Sequence, residues 1–188
     1  PTTYNEEHLY QFQLKPGTYN LLIARMEPEN NIETIIQGYI ASGLLEELIV
    51  IGNYQNGFGT RLKNTYGHHH HIRWMGAIYN MGILNSLRHF SHLYFHGHSV
   101  GGTNPSLLEA MACQTFIIAH NNEFNEAILG EDALYFSNAE ELALILSKPV
   151  SRENEFRKKN LRKIMQYFTP KTITDQYEIL FQECLASN

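Results

Sequence analysis

The stretch from His96 to Ala112, HGHSVGGTNPSLLEAMA, decides how this chain is read. Just before it, Leu93-Tyr94-Phe95 is a short apolar run of the kind that makes a buried strand. Gly97 and the pair Gly101-Gly102 then make the backbone permissive. Asn104 is a good helix N-cap, Pro105 fits the first helical position, and Leu107, Leu108 and Met111 give a core-facing stripe. A helix start of this kind is expected to present free N–H donors and partial positive charge, which suits a phosphate or diphosphate. Glu109 lies one turn further in and off the apolar stripe, where an acceptor-only side chain suits sugar hydroxyls of the same ligand. The same features occur in α/β domains generally, and an off-stripe glutamate is ordinarily just solvated, so the pattern alone leaves both readings open. The glycines follow neither the G-x-G-x-x-G spacing nor the P-loop pattern.

Outward from this stretch, apolar runs alternate with helical periodicities. Tyr19 to Ala24 reads as a buried strand, and Ile32, Ile35, Ile36 and Tyr39 recur at helical spacing before Gly43 ends the pattern. Leu48 to Ile51, Ile72 to Gly76, Thr115 to Ala119 and Ala133 to Phe136 are further strands. Met81 to Phe90, Asn125 to Leu129 and Ala139 to Leu146 are helices, and Asn53 to Tyr66 reads as a loop with a short helix. Such alternation predicts an α/β fold, a Rossmann-like doubly wound parallel sheet with its ligand at the C-terminal strand ends. Residues 1–18 show no period and read as a linker or an ill-defined first element, 19–150 as the Rossmann-like domain, and 151–188 as a C-terminal helical extension broken at Thr169-Pro170. Phe156, Ile164, Tyr167, Ile179 and Leu180 are its expected apolar anchors.

With 188 residues and 43% hydrophobic content, the chain can bury one substantial core but not a second full lobe. The net charge of -5, without a Lys/Arg block, argues against nucleic acid as a partner. Cys113 and Cys184 make neither a disulfide framework nor a thiolate metal site, so reduced thiols in a cytoplasmic protein are expected. No apolar run approaches the roughly 18 residues of a membrane span, and the start lacks a signal-peptide pattern. The chain begins Pro-Thr-Thr, so an excised domain is expected. His68 to His71 read as a polar run rather than a metal site, because adjacent side chains diverge on an extended segment.

The segment HGHSVGGTNPSLLEAMACQTFIIA resembles the donor-binding part of the C-terminal domain of family 4 retaining glycosyltransferases, which have two Rossmann-like lobes (the GT-B architecture). It is most similar to the bacterial, rhamnosyltransferase-like branch that acts in polysaccharide biosynthesis. The resemblance implies that the glycine loop holds a nucleotide diphosphate and that Glu109 binds the nucleotide ribose. It implies that Arg25, just past a strand, lies on the donor phosphates, while Asn30 stands where the family usually has a second cation, a lysine. Trp74 and Gly76, with Ile78 more remotely, are implied near the base, although a sole Trp in an α/β domain is more often a core residue. The family's first glutamate has no counterpart here: counting back from Glu109 reaches Gly101, or Ser99 if the loop is longer. Contacts to the donor sugar then fall to His98, Ser99 or the amides of Gly101, Gly102, Thr103 and Asn104, with His96 as a further candidate.

The function implied is transfer of a sugar such as rhamnose from a dTDP- or UDP-sugar to a saccharide or lipid-linked acceptor, with Arg25 and Glu109 as the central groups. No cofactor or metal is expected: Asp132 and Asp175 are the only aspartates and form no D-x-D pair. The acceptor site belongs to a missing N-terminal lobe, so this fragment alone is expected to bind donor and turn over little. The expected location is the cytoplasm, with any attachment to the inner face of the membrane left to the full-length enzyme. The alternatives are a sugar-nucleotide epimerase lobe of the same architecture and a non-catalytic Rossmann-like interaction module.

Overall fold

The computed structural model describes residues 4–149 and 152–186. Six strands form one parallel sheet: β1 (Tyr19–Ile23), β2 (Glu47–Ile51), β3 (Ile72–Gly76), β4 (Tyr94–His96), β5 (Ile117–His120) and β6 (Leu134–Phe136). Their spatial order is β3-β2-β1-β4-β5-β6, so the winding reverses between β1 and β4. This is the doubly wound Rossmann-like arrangement, in which the crevice at the reversal is the natural ligand position.

Period-two alternation along the strands supplies both cores. Val50, Leu22, Phe95 and Ile118 pair across β2, β1, β4 and β5 and point to one face; Ile49, Leu21, Tyr94 and Ile117 pair one residue earlier and point to the other. Helices α2 (Ile32–Ser42), α3 (Gly57–Tyr66) and α7 (Ala139–Leu146) cover the first face. The second is covered by α1 (Glu7–Tyr10), α4 (Met81–Phe90), α5 (Pro105–Ala112) and α6 (Glu123–Leu129). Asparagine side chains cap each helix from α3 to α7: Asn56, Asn80, Asn104, Asn122 and Asn138 each accept from an amide in the first turn.

Several expectations change. Of the two readings of residues 4–18, the structure shows a first element rather than a linker: α1 and a left-handed turn at Gln13 (φ 57°) bring Leu9 and Leu14 into the second core. One helical turn is too short to leave a period in the sequence, which is why it was illegible. The helix between Asn53 and Tyr66 is ten residues long. His96 is the last residue of β4. In the extension, α8 (Glu153–Tyr167) and α9 (Pro170–Ala186) meet at the expected break, and Phe156 and Ile164 pack inward. Tyr167, at the end of α8, and Ile179 and Leu180 of α9 do not: each is at least half exposed, and little of α9 is covered. The 150/151 boundary lies outside the described residues.

Close approach at the reversal depends on one glycine. A Cβ on Gly97 would stand 2.0 Å from the Asn30 carbonyl oxygen, whereas one on Gly102 meets nothing within 4 Å. Gly97→Ala is therefore expected to lower the denaturant midpoint by an amount equivalent to about 1–3 kcal/mol, and Gly102→Ala to leave it unchanged; equal midpoints for the two variants contradict this packing.

Candidate functional site

Where the strand order reverses, the chains leaving β1 and β4 part, and the C-terminal ends of β1, β2 and β4 border a cleft of about 660 Å³. Arg25 follows β1 into it, Gly52 follows β2, and His96, Gly97 and His98 enter from β4. Asn104, Pro105, Ser106 and Glu109 of the α5 end form another part of its lining, and Ala77 and Ile78 lie at the β3 end. Arg25 and Glu109, distant in sequence, thus share one cavity.

The helix start differs from expectation. Pro105 has no N–H, the Ser106 amide donates to the Asn104 side chain at 2.9 Å, and the Leu107 amide donates to the Asn104 carbonyl at 3.0 Å. The first turn of α5 is therefore already satisfied, and only its dipole remains for an anion. The amides of residues 100–104 have no hydrogen-bond partner among the described residues, so the main-chain donors lie in the preceding loop. Gly101, with φ 80° and open space around its Cβ position, lets that loop turn. Gly101, Gly102 and Thr103 are exposed and lie outside the cleft lining.

Glu109 has a partner that sequence reasoning missed. Arg88 of α4, 2% exposed, donates from Nη2 to Glu109 Oε2 at 2.6 Å and from Nη1 to Asn85 Oδ1 at 3.1 Å. Arg88 falls four residues after Leu84, on the buried stripe of α4, and a charge at such a position was the available signal. Its Nε is buried without a partner.

Asn30, expected among the donor contacts, lines the cleft, is 6% exposed and also braces its wall. Its Nδ2 donates to the Arg25 carbonyl at 2.8 Å, so its Oδ1 must accept, and His98 Nδ1 lies 2.8 Å from it. The proton of a neutral His98 therefore sits on Nδ1, leaving Nε2 as an acceptor. Asn31 Nδ2 donates to the Gly97 carbonyl at 2.8 Å, and Asn122 and Asn125 both donate to the His98 carbonyl. Ser99 is held by its amide and hydroxyl on the Glu29 carbonyl and does not line the cleft. Neutral amides thus pin the whole β4 exit.

Trp74 packs into the first core, edge-on to Tyr54 at 6.1 Å, and also lies outside the cleft lining. Gly76 (φ 71°) lines a smaller hollow, sharing Asn53, Ala77 and Tyr79 between the two cavities. Among the described residues, no three His, Cys, Asp or Glu side chains converge to hold a metal ion, the His68–His71 run included.

No protein-family model matches the chain, and no curated protein sequence does. Solved structures match over nearly all of it. Sucrose-phosphate synthase from Thermosynechococcus elongatus superposes with a TM-score of 0.76 at 18% identity, covering 98% of this chain and 50% of that one. HepE of Anabaena, in complex with UDP-glucose, gives 0.79 at 16%, covering 97% and 52%. The C-terminal domain of a group 1 family glycosyl transferase (LpcC) from Francisella tularensis gives 0.70 at 15%, covering 90% of this chain and 95% of that domain. The fold is therefore that of one lobe of a GT-B glycosyltransferase, and the chain spans about half the length of the first two enzymes.

His96 provides a test of this geometry. Burial, with the neighbouring His98 adding to it, pushes its imidazole down to about 3. The unfolded chain takes up this proton near pH 6.5 and the folded one does not until about 3, so stability present above pH 6.5 is lost as pH falls through that window. Denaturant titrations between pH 7 and 4 should show His96→Gln losing stability less steeply than the wild type, by up to about 1.4 kcal/mol per pH unit; parallel profiles would place His96 in solvent.

Proposed function

We propose that this chain is the nucleotide-sugar donor lobe of a retaining glycosyltransferase that works without a metal ion, with a dTDP- or UDP-sugar as donor and rhamnose as the transferred sugar. The observation that carries the reading is that Arg25 and Glu109 line one cleft at the strand-order reversal together with Asn104, where the exposed, unbonded glycine loop enters α5. The fold shared with HepE, whose structure holds UDP-glucose, supports the donor class. The rhamnose assignment rests on the resemblance of the His96–Ala112 stretch to its branch of the family.

The chemistry follows from where charge develops. Cleavage of the anomeric C–O bond leaves negative charge on the β-phosphate while the sugar becomes cationic. Fixed donors aimed at that phosphate lower the barrier without reorganising. Arg25 offers a forked, permanently charged guanidinium, and the amides of residues 100–104 offer main-chain N–H groups. Glu109, an acceptor, takes hydroxyls of the nucleoside sugar; in a deoxyribose only the 3′-hydroxyl is available to it. The acceptor and the second lobe belong to the longer enzyme, so the isolated chain binds donor and turns over little.

Titration calorimetry with UDP and dTDP tests this directly. Binding of at least one is expected, weakened about ten-fold by Glu109→Ala and by ten-fold or more by Arg25→Ala. A folded wild-type chain that binds neither nucleotide, or a Glu109→Ala variant with undiminished affinity, would remove the proposal. Competition among dTDP, UDP and GDP sugars then assigns the base.

A further inference from the structure

We infer that Arg88 is a positioning residue that makes this cleft select a nucleoside diphosphate over free pyrophosphate, by holding the Glu109 carboxylate ready for sugar hydroxyls. The inference rests on the donor-lobe reading above. A fully bidentate grip would occupy both carboxylate oxygens, but Arg88 splits its fork: Nη2 goes to Glu109 Oε2 and Nη1 to Asn85 Oδ1. Glu109 Oε1 is left for a ligand, on a side chain that is 38% exposed and lines the cleft. Asn85 Oδ1 also lies 3.6 Å from the Cys113 thiol at the α5 C-cap, so the clamp is tied to the far end of the helix that carries Glu109.

Such an arrangement is poor value as a stabilising device. Arg88 is buried with its Nε unpartnered, on a stripe where a leucine would continue Leu84 and Leu87 at less desolvation cost. Its benefit lies in the ligand complex. A glutamate on a helix surface samples several rotamers and loses that freedom on binding, whereas this one is already ordered. Glu109 has no proton to donate and carries the same charge sign as a phosphate, so its ordering favours only a ligand that brings hydroxyls. Pyrophosphate brings none.

The test titrates the 188-residue chain calorimetrically with UDP and with inorganic pyrophosphate. Arg88→Met is expected to lose about ten-fold in UDP affinity, with pyrophosphate unchanged within about two-fold. In a Glu109→Gln background the same change should cost less than about two-fold more, because both substitutions remove one coupled interaction. Arg88→Lys keeps the charge but not the fork, so an intermediate loss of the UDP preference is expected, and it serves if Arg88→Met fails to fold. Equal losses for both ligands, additive losses in the double variant, or an Arg88→Lys chain with the full wild-type preference overturn the role of Arg88 and leave the donor reading standing. A wild-type chain without preference for UDP over pyrophosphate overturns the donor reading itself.

Discussion

The pairing of β1 with β4 is the constraint on which the rest of the molecule depends. Leu21 and Leu22 lie in parallel register with Tyr94 and Phe95, joining segments more than seventy residues apart in sequence. That join turns two runs of strands, β3-β2-β1 and β4-β5-β6, into one sheet wound in opposite senses. Chains leaving β1 and β4 must then part to opposite faces, and the gap they leave is the cleft. Each of those strands is buried on both sides, so a one-residue slip would exchange the residues facing the two cores.

Around the cleft, positioning is done by neutral groups and charge is kept for few places. Asn30, Asn31, Asn122 and Asn125 hold the β4 exit through backbone carbonyls. Amides do this without the desolvation cost of buried ions, and they do not titrate. The ionised groups on the lining, Arg25, Glu27, Arg88 and Glu109, are thereby left to ligand chemistry and to one internal pair. The buried Arg88–Glu109 contact is the exception, a charge held in the interior beside an oxygen left open to the cleft.

Much of the architecture was legible because it rests on local rules. Helix α4 was read with the bounds it has, and α2 stops at Gly43, whose φ of 69° is the left-handed cap a glycine supplies. Asn104 caps α5 as expected, but the same rule implied free amides that the cap and Pro105 in fact leave none of in the first turn. Residues 4–18 leave no period in the sequence because Leu9 and Leu14 enter the core through a single helical turn and a left-handed residue.

Arg25 entered only through the family resemblance, whereas the amino-acid order by itself determined the alternation of strands and helices, the glycine-rich exit after β4 and the off-stripe place of Glu109 on its helix. These follow from periodicity, capping and backbone freedom, all of which act over a few residues. Only the tertiary structure decided that Arg88 grips Glu109, that Asn30 ties the Arg25 carbonyl to His98 at the cleft wall, and that Trp74 packs edge-on to Tyr54 against the first core. Those outcomes depend on which faces of distant elements meet, and burial and hydrogen-bond partners across such contacts are set by packing, not by the spacing of residues along the chain.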